Sequence, residues 1–367
     1  MKTLLRLLLK TQHPRNRSGS AQTDKGMTLV ELLVGSIMAF LIITPMLGFV
    51  VDMLNTDRRE QVKSNTEQDL QAAVDFIAQD LSQAIYIYDN IDINGGTRGT
   101  VTVTEIKSQL PAPANGTPIL VFWKRQQIKN AVPLSKGRNP SDCPLPGQPP
   151  GPPDDECNDT YVSSLVAYYQ INENTSNSIW CQPSGTDCPS RIERYEIKDG
   201  VKNPYAPPSA PDFPYYSESE IGTTRLNSLQ KDKAFNKDFA FSDPTKNVTL
   251  ITGGKPTVDS EVLVNYIDHS PKQLDGEECQ KALGYPETQI GLAAATKVPE
   301  DTLKVTDPDK TKNSFYACVD NARNLARVTI RGNSLRRIQT KADYDPKKSA
   351  YFPTASVQVQ GLGARGK

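Results

Sequence analysis

KGMTLVELLVGSIMAFLIITPMLGFVV, residues 25–51, decides how the rest of the chain is read. From Met27 to Val51 the 25 residues carry one ionisable side chain, Glu31. As a helix rising about 1.5 Å per residue the segment would be roughly 37 Å long, more than the ~30 Å of a bilayer core. A carboxylate five residues into such a span costs on the order of 2.5–3.5 kcal/mol. A charge in so unfavourable a place calls for a partner, because a buried carboxylate and a buried ammonium cost less together than apart. Pro45 lacks an amide hydrogen and its ring crowds the Leu41 carbonyl, so a kink or loosened turn is expected there.

Upstream, residues 1–26 carry Lys2, Arg6, Lys10, Arg15, Arg17 and Lys25 against Asp24 alone. That excess of positive charge predicts a cytoplasmic N-terminus and an external C-terminal domain. The apolar patch in MKTLLRLLLK is interrupted by Arg6 and no A-x-A site precedes the long span, which argues against a cleaved secretory signal. Downstream, Leu70, Val74, Ile77, Leu81, Ile85 and Tyr88 recur three or four apart among polar residues, and no Pro or Gly intervenes between Val51 and Asn90. The spacing predicts one helix of about 60 residues, ending near Asp89-Asn90 with a turn at Asn94-Gly95-Gly96. Its first half (27–51) is apolar enough for lipid. Its second half (52–90) presents one stripe that a sheet must cover.

Residues 91–367 read as a β-rich domain. Strands are expected at 101–106, 118–123, 161–172, 178–182, 191–198, 247–252, 261–268, 314–320 and 325–332. Two proline-rich insertions, 137–157 and 203–216, read as extended surface loops, and the tail 361–367 as frayed. The fold class is therefore α+β: a long N-terminal helix packed on an antiparallel sheet with long loops.

The order Lys25-Gly26-Met27-Thr28-Leu29-Val30-Glu31, followed at once by an apolar run, resembles the processing segment of type IV prepilins and pseudopilins. The resemblance implies that prepilin peptidase removes residues 1–26 by cutting after Gly26, and that Met27 becomes the N-methylated first residue. It implies too that Glu31 lies near that amine of a neighbouring subunit. Met27 stands where the family often has Phe. The implied partners are the peptidase, other pilins or pseudopilins through the N-terminal helix, the inner-membrane assembly platform and membrane lipid. The implied location is the inner membrane, single-pass, with the head in the periplasm and then in a pilus or pseudopilus. The strand order is similar to that of the larger minor pseudopilins and PilW-like minor pilins. The chain is similar as well to the cyanobacterial pseudopilins of hormogonium polysaccharide secretion. About 341 residues after processing is large for a major subunit and suits a minor one. The competing reading is an ordinary signal anchor carrying an enzyme or carbohydrate-binding domain that works alone.

The net charge is zero, so no basic field points to nucleic acid. With 37% hydrophobic residues and 28 prolines, the external part has a thin core. All six cysteines, at 143, 157, 181, 188, 279 and 318, follow the span, which suits an oxidising compartment. Proximity along the chain suggests Cys143–Cys157, Cys181–Cys188 and Cys279–Cys318, one of about 15 connectivities. No close C-x₂₋₄-C pair favours zinc, and DPDKTKN (307–313) lacks the spacing of a calcium loop. No cofactor or metal is expected. Beyond His13 in the leader there is only His269, and no nucleophile elbow, phosphate loop or H-E-x-x-H, so no catalytic residue is proposed. Tyr168, Tyr169 and Trp180 are candidates for stacking on a sugar, though such residues more often serve as half-buried sheet packing.

Overall fold

The computed structural model describes residues 28–149, 156–185, 187–207, 215–231, 258–270, 277–286, 298–306 and 313–363. Gly26, Met27, the expected strand at 247–252 and the acidic positions Asp307 and Asp309 lie outside them. The chain divides into two compact units, Met1–Asp57 and Arg58–Lys367. It is a mixed α+β protein with a long apolar N-terminal helix, antiparallel sheets and three disulfides.

Helix α1 spans Leu29–Ser82 and continues through Pro45. Its first part is long and apolar enough to cross a membrane. In the second unit the same helix buries Thr66, Leu70, Ala73, Val74, Ile77, Asp80 and Leu81. This face contains the four apolar positions expected on the stripe up to Leu81. Gly332 allows the close approach, since a Cβ there would stand 2.7 Å from Thr66 Cγ2 and 3.0 Å from Leu70 Cδ1.

The helix stops earlier than the periodicity predicts. Ala84–Ile87 forms β1, antiparallel to β4 (Gly116–Pro133), with Tyr86 opposite Trp123 and Ile87 opposite Phe122. The run Ile85-Tyr86-Ile87-Tyr88 is β-branched and aromatic, and a partner strand outweighs its accidental helical spacing. Tyr88 accepts a hydrogen bond from Trp123 Nε1 at 2.7 Å. A short helix, α2 (Asn90–Asn94), follows, with Asp89 and Asp92 forming a reciprocal capping box and Gly95 closing it at φ 80°.

Five strands make the first sheet, in the order β1-β4-β5-β6-β7, with β5 Cys157–Asn172, β6 Ser190–Lys198 and β7 Ser260–Ile267. The expected 118–123 strand is thus the first half of a longer one. Residues 164–171 of the central β5 are buried on both faces. The second sheet has the order β11-β10-β9-β8, with β8 Lys304–Val305, β9 Phe315–Asp320, β10 Leu325–Arg331 and β11 Thr354–Gln360. β11 was not expected. The segment at 101–106 shrinks to β3 (Val101–Val103), paired only with β2 (Gly96–Arg98). Residues 178–182 are a turn and not a strand: Ser178 Oγ donates to Glu173 at 3.0 Å, and the Cys181–Cys188 bond closes the loop.

The irregular segments are held by cross-links and by two buried guanidinium groups. Cys143–Cys157 closes the first insertion across 14 positions, a loop worth about 3 kcal/mol in the chain-entropy model. Cys279–Cys318 ties a short helix, α3 (Glu278–Ala282), to β9. Arg225 donates to the carbonyls of Asn130 and Pro140, each at 2.8 Å, and of Lys129 at 3.2 Å. Arg336, wholly buried, donates to the carbonyls of Asp187 at 2.7 Å and Gln339 at 3.0 Å and reaches Cys181 Sγ at 3.5 Å.

Candidate functional site

The N-terminal turn of α1 follows from its sequence. Thr28-Leu29-Val30-Glu31 has the form S/T-x-x-E ahead of an apolar run, the pattern of a capping box. Thr28 Oγ1 accepts a hydrogen bond from the Glu31 amide at 3.3 Å. The Glu31 carboxylate lies in the first turn, where the helix dipole favours negative charge. Sequence reading missed the role of Thr28, although the four-residue pattern was there to be seen.

Every residue from Thr28 to Gln61 is exposed, and among the described residues no side chain pairs with Glu31. Phe40 is 70% exposed and Phe49 is 72%. So large an apolar surface needs a cover that the described residues do not provide, whether lipid or other helices. Pro45 leaves the Leu41 carbonyl without its usual donor inside that surface.

A second concentration of charge lies where α1 meets the first sheet. Asp80 is buried and accepts hydrogen bonds from Arg194 Nε at 2.7 Å, Tyr168 Oη at 2.7 Å and Lys124 Nζ at 3.1 Å. Glu196 completes the set, 2.6 Å from Arg194 Nη2 and 3.2 Å from Lys124. Burial opposes ionisation of Asp80, but the Arg194 hydrogen bond, the Lys124 and Arg194 charges and the Tyr168 hydroxyl outweigh it. Its carboxyl is held below the ordinary aspartate range. Glu196 is lowered in the same way, burial being overcome by Lys124 and Arg194. Burial and the Asp80 charge push the Tyr168 hydroxyl up. Asp80, Glu196 and Arg194 are thus held in their charged forms and Tyr168 in its neutral form near neutrality. The sequence signal for Asp80 was its place on the apolar stripe, next to Leu81 and three residues after Ile77.

This arrangement sets a pH dependence. Carboxyls whose pKa falls on folding contribute stability that is complete above their unfolded values, about 3.9 for Asp and 4.3 for Glu, and is lost as pH drops towards the folded values. Thermal unfolding between pH 7 and pH 3 should show the midpoint falling below about pH 4.5, and each such carboxyl adds up to roughly 1.4 kcal/mol per pH unit. Asp80→Asn should have a lower midpoint at pH 7 and a shallower acid slope. An unchanged slope would place the titration elsewhere.

Two of the three aromatic candidates are structural. Tyr168 and Tyr169 are wholly buried, the latter donating to the Pro111 carbonyl at 2.6 Å, so neither can stack on a sugar. Trp180 is half-buried beneath Arg191, 5.4 Å from its ring centre. His269 is half-buried just after β7, beside Asp268, which binds Arg331 at 2.6 Å. A cleft of about 700 Å³ is lined by Asp89, Arg98, Tyr285, Pro299, Asn321 and Arg323 among others. Its acidic edge is already closed by Arg98, 2.6 Å from Asp89 and 3.1 Å from Asp92. Among the described residues no group of acidic, histidine or cysteine side chains is placed to hold a metal ion. No protein family, no curated relative and no solved structure matches this chain.

Proposed function

We propose that the chain is a minor pilin or pseudopilin: a membrane-inserted subunit that acts by assembling, not by turning over a substrate. The observation that carries this reading is Glu31, one carboxylate in the first turn of an otherwise apolar, uncovered helix, without a side-chain partner among the described residues. Lys25, Gly26 and Met27 precede it in the order that prepilin peptidase processing would require. After cleavage behind Gly26, the amine of Met27 in a neighbouring subunit supplies the missing cation, and the pair fixes the axial register of adjacent helices. The first part of α1 packs among other such helices or lipid in the inner membrane. The disulfide-tied head faces the periplasm and specialises the filament for secretion of protein or polysaccharide, adhesion or motility.

The burial of Tyr168 and Tyr169 also favours assembly over a solitary sugar-binding head, since it removes two of its three aromatic candidates. Mass spectrometry of the intact chain extracted from membranes tests the proposal. The expected mass lacks residues 1–26 and carries one methyl group on Met27. A chain that retains Met1 and has an unmodified Met27 would overturn it.

A further inference from the structure

The loop between β5 and β6 is closed by the Cys181–Cys188 bond. Cys181 is wholly buried and Cys188 keeps 6% of its surface. Arg336, in the one-turn segment Leu335–Arg337 after β10, places Nη2 3.5 Å from Cys181 Sγ. Its Nε and Nη1 donate to the Asp187 and Gln339 carbonyls. Gly185 permits the close approach of the loop, since a Cβ there would stand 2.8 Å from the Thr340 carbonyl oxygen. Among the described residues no carboxylate binds Arg336, because Asp187 turns its own carboxylate to Lys341 at 3.3 Å. A wholly buried cation thus has two carbonyls and a sulfur for polar neighbours.

Cys279–Cys318 has the reverse surroundings. Both residues are buried in an apolar cluster with Leu283, Leu303 and Tyr316, and the Glu300 carboxylate accepts the Cys279 amide at 2.7 Å. A neighbouring cation favours a thiolate, whereas apolar surroundings and a nearby carboxylate oppose one. The reduced forms of the two bonds therefore differ in stability, and a stabilised reduced form makes a disulfide easier to reduce. A Cys181 thiolate would also give Arg336 the counterion it lacks. We infer that Cys181–Cys188 is a thiol–disulfide exchange site for a dithiol reductant, with Cys181 the sulfur that leaves and Arg336 its counterion.

The exchange is asymmetric. One thiolate of the reductant attacks Sγ of Cys188, the partner with some exposed surface, the S–S bond breaks, and Cys181 departs as a thiolate beside Arg336. A sulfur that is less basic leaves faster. The reductant's second thiol then gives up its proton, and its sulfur attacks the first in the mixed disulfide. The reductant's own disulfide forms and Cys188 leaves. Two electrons pass to the cysteine pair; of the two protons released, Cys188 takes one and water the other. The ion pair replaces the covalent link between the loop and Arg336, and the bonds from Ser178 to Glu173 and from Asn265 to the Trp180 carbonyl remain, so the opening is local. All these groups belong to the compact unit Arg58–Lys367, and the exchange would occur whether or not the chain assembles.

The test equilibrates the full chain, extracted from membranes in detergent, with mixtures of reduced and oxidised dithiothreitol. Acid quenching, alkylation and peptide mass mapping then read each cysteine pair. Cys181–Cys188 should be half-reduced at a reduced-to-oxidised ratio at least tenfold lower than Cys279–Cys318 requires, a gap of about 30 mV. Reduction of Cys279–Cys318 first, or of both bonds at one ratio, would overturn the inference. Arg336→Gln removes the charge and keeps an amide donor. It should raise the ratio needed for Cys181–Cys188 at least tenfold and leave Cys279–Cys318 unmoved. Were Arg336 only a tether, its loss would slacken the loop and lower that ratio; a lowered or unchanged ratio therefore sinks the proposal. Should the variant fail to fold, glutathione on the unaltered chain decides. The trapped mixed disulfide is expected on Cys188, and an adduct on Cys181, or none on either, overturns the assignment.

Discussion

Glu31→Val is expected to remove the chain from its assembly while leaving the head folded. In the proposed filament the carboxylate neutralises the terminal amine of an adjacent subunit inside lipid. Without it that ammonium is stranded, at a cost on the order of 2.5–3.5 kcal/mol. At about 1.4 kcal/mol per factor of ten, the assembled fraction should fall roughly a hundredfold. Glu31→Gln isolates the charge, because it retains the shape and some hydrogen bonding, and it should fall between the two. Cross-linking in membranes reads the assembled fraction. The head provides the control, since Glu31 lies outside the compact unit Arg58–Lys367 and its three disulfides and unfolding midpoint should not move. A Glu31→Val chain that assembles normally would exclude a pairing role and leave the carboxylate as a first-turn acid of an ordinary anchor.

Asp80→Ala should have the opposite profile, with a damaged head. Removing one partner of a buried ion cluster leaves Arg194 and Lys124 to share Glu196, and the Tyr168 hydroxyl loses its acceptor. Breaking a buried pair in this way typically costs about 3–5 kcal/mol. In a unit of this size, that amounts to a fall of about 5–8 °C in the unfolding midpoint. Removing the charges together, as Asp80→Leu with Arg194→Met and Lys124→Met, should recover part of the loss, because apolar replacements of similar volume avoid the desolvation penalty. If Asp80→Ala left the midpoint within 2 °C, roughly the effect of a neutral substitution, the cluster would be incidental to the docking of α1.

What was legible in the sequence was whatever local chemistry decides. The apolar span and the stripe Leu70, Val74, Ile77, Leu81 follow from periodicity, and each cysteine found its nearest neighbour along the chain. Ile85 and Tyr88 were misread as helix because they fall at helical spacing and no Pro or Gly marks the end at Ser82. Their true partner is β4, more than thirty residues away. Ser178–Gln182 has the composition of a strand, but a disulfide closed across 7 positions and the Glu173 carboxylate bend it. β11 escaped notice because its inward side chains are only Ala355, Val357 and Val359, too small to stand out from a loop. The charges around Asp80 come from three separated elements and the Tyr168 hydroxyl from a fourth, and only folding brings each within 3.2 Å of a partner.

Arg225 and Arg336 bear on how such a head can change over evolutionary time. Arg225 ties the Pro140 carbonyl to those of Lys129 and Asn130 in β4, and Arg336 ties Asp187 to Gln339, so an irregular segment is tacked down at points and not along its length. Lysine could not replace either side chain, because its three donors radiate from one atom while the planar fork offers five spread over three. Between the tacks, the intervening polypeptide is at liberty to lengthen, shorten or vary. Ornament can therefore be rewritten on this scaffold without disturbing the sheet beneath it.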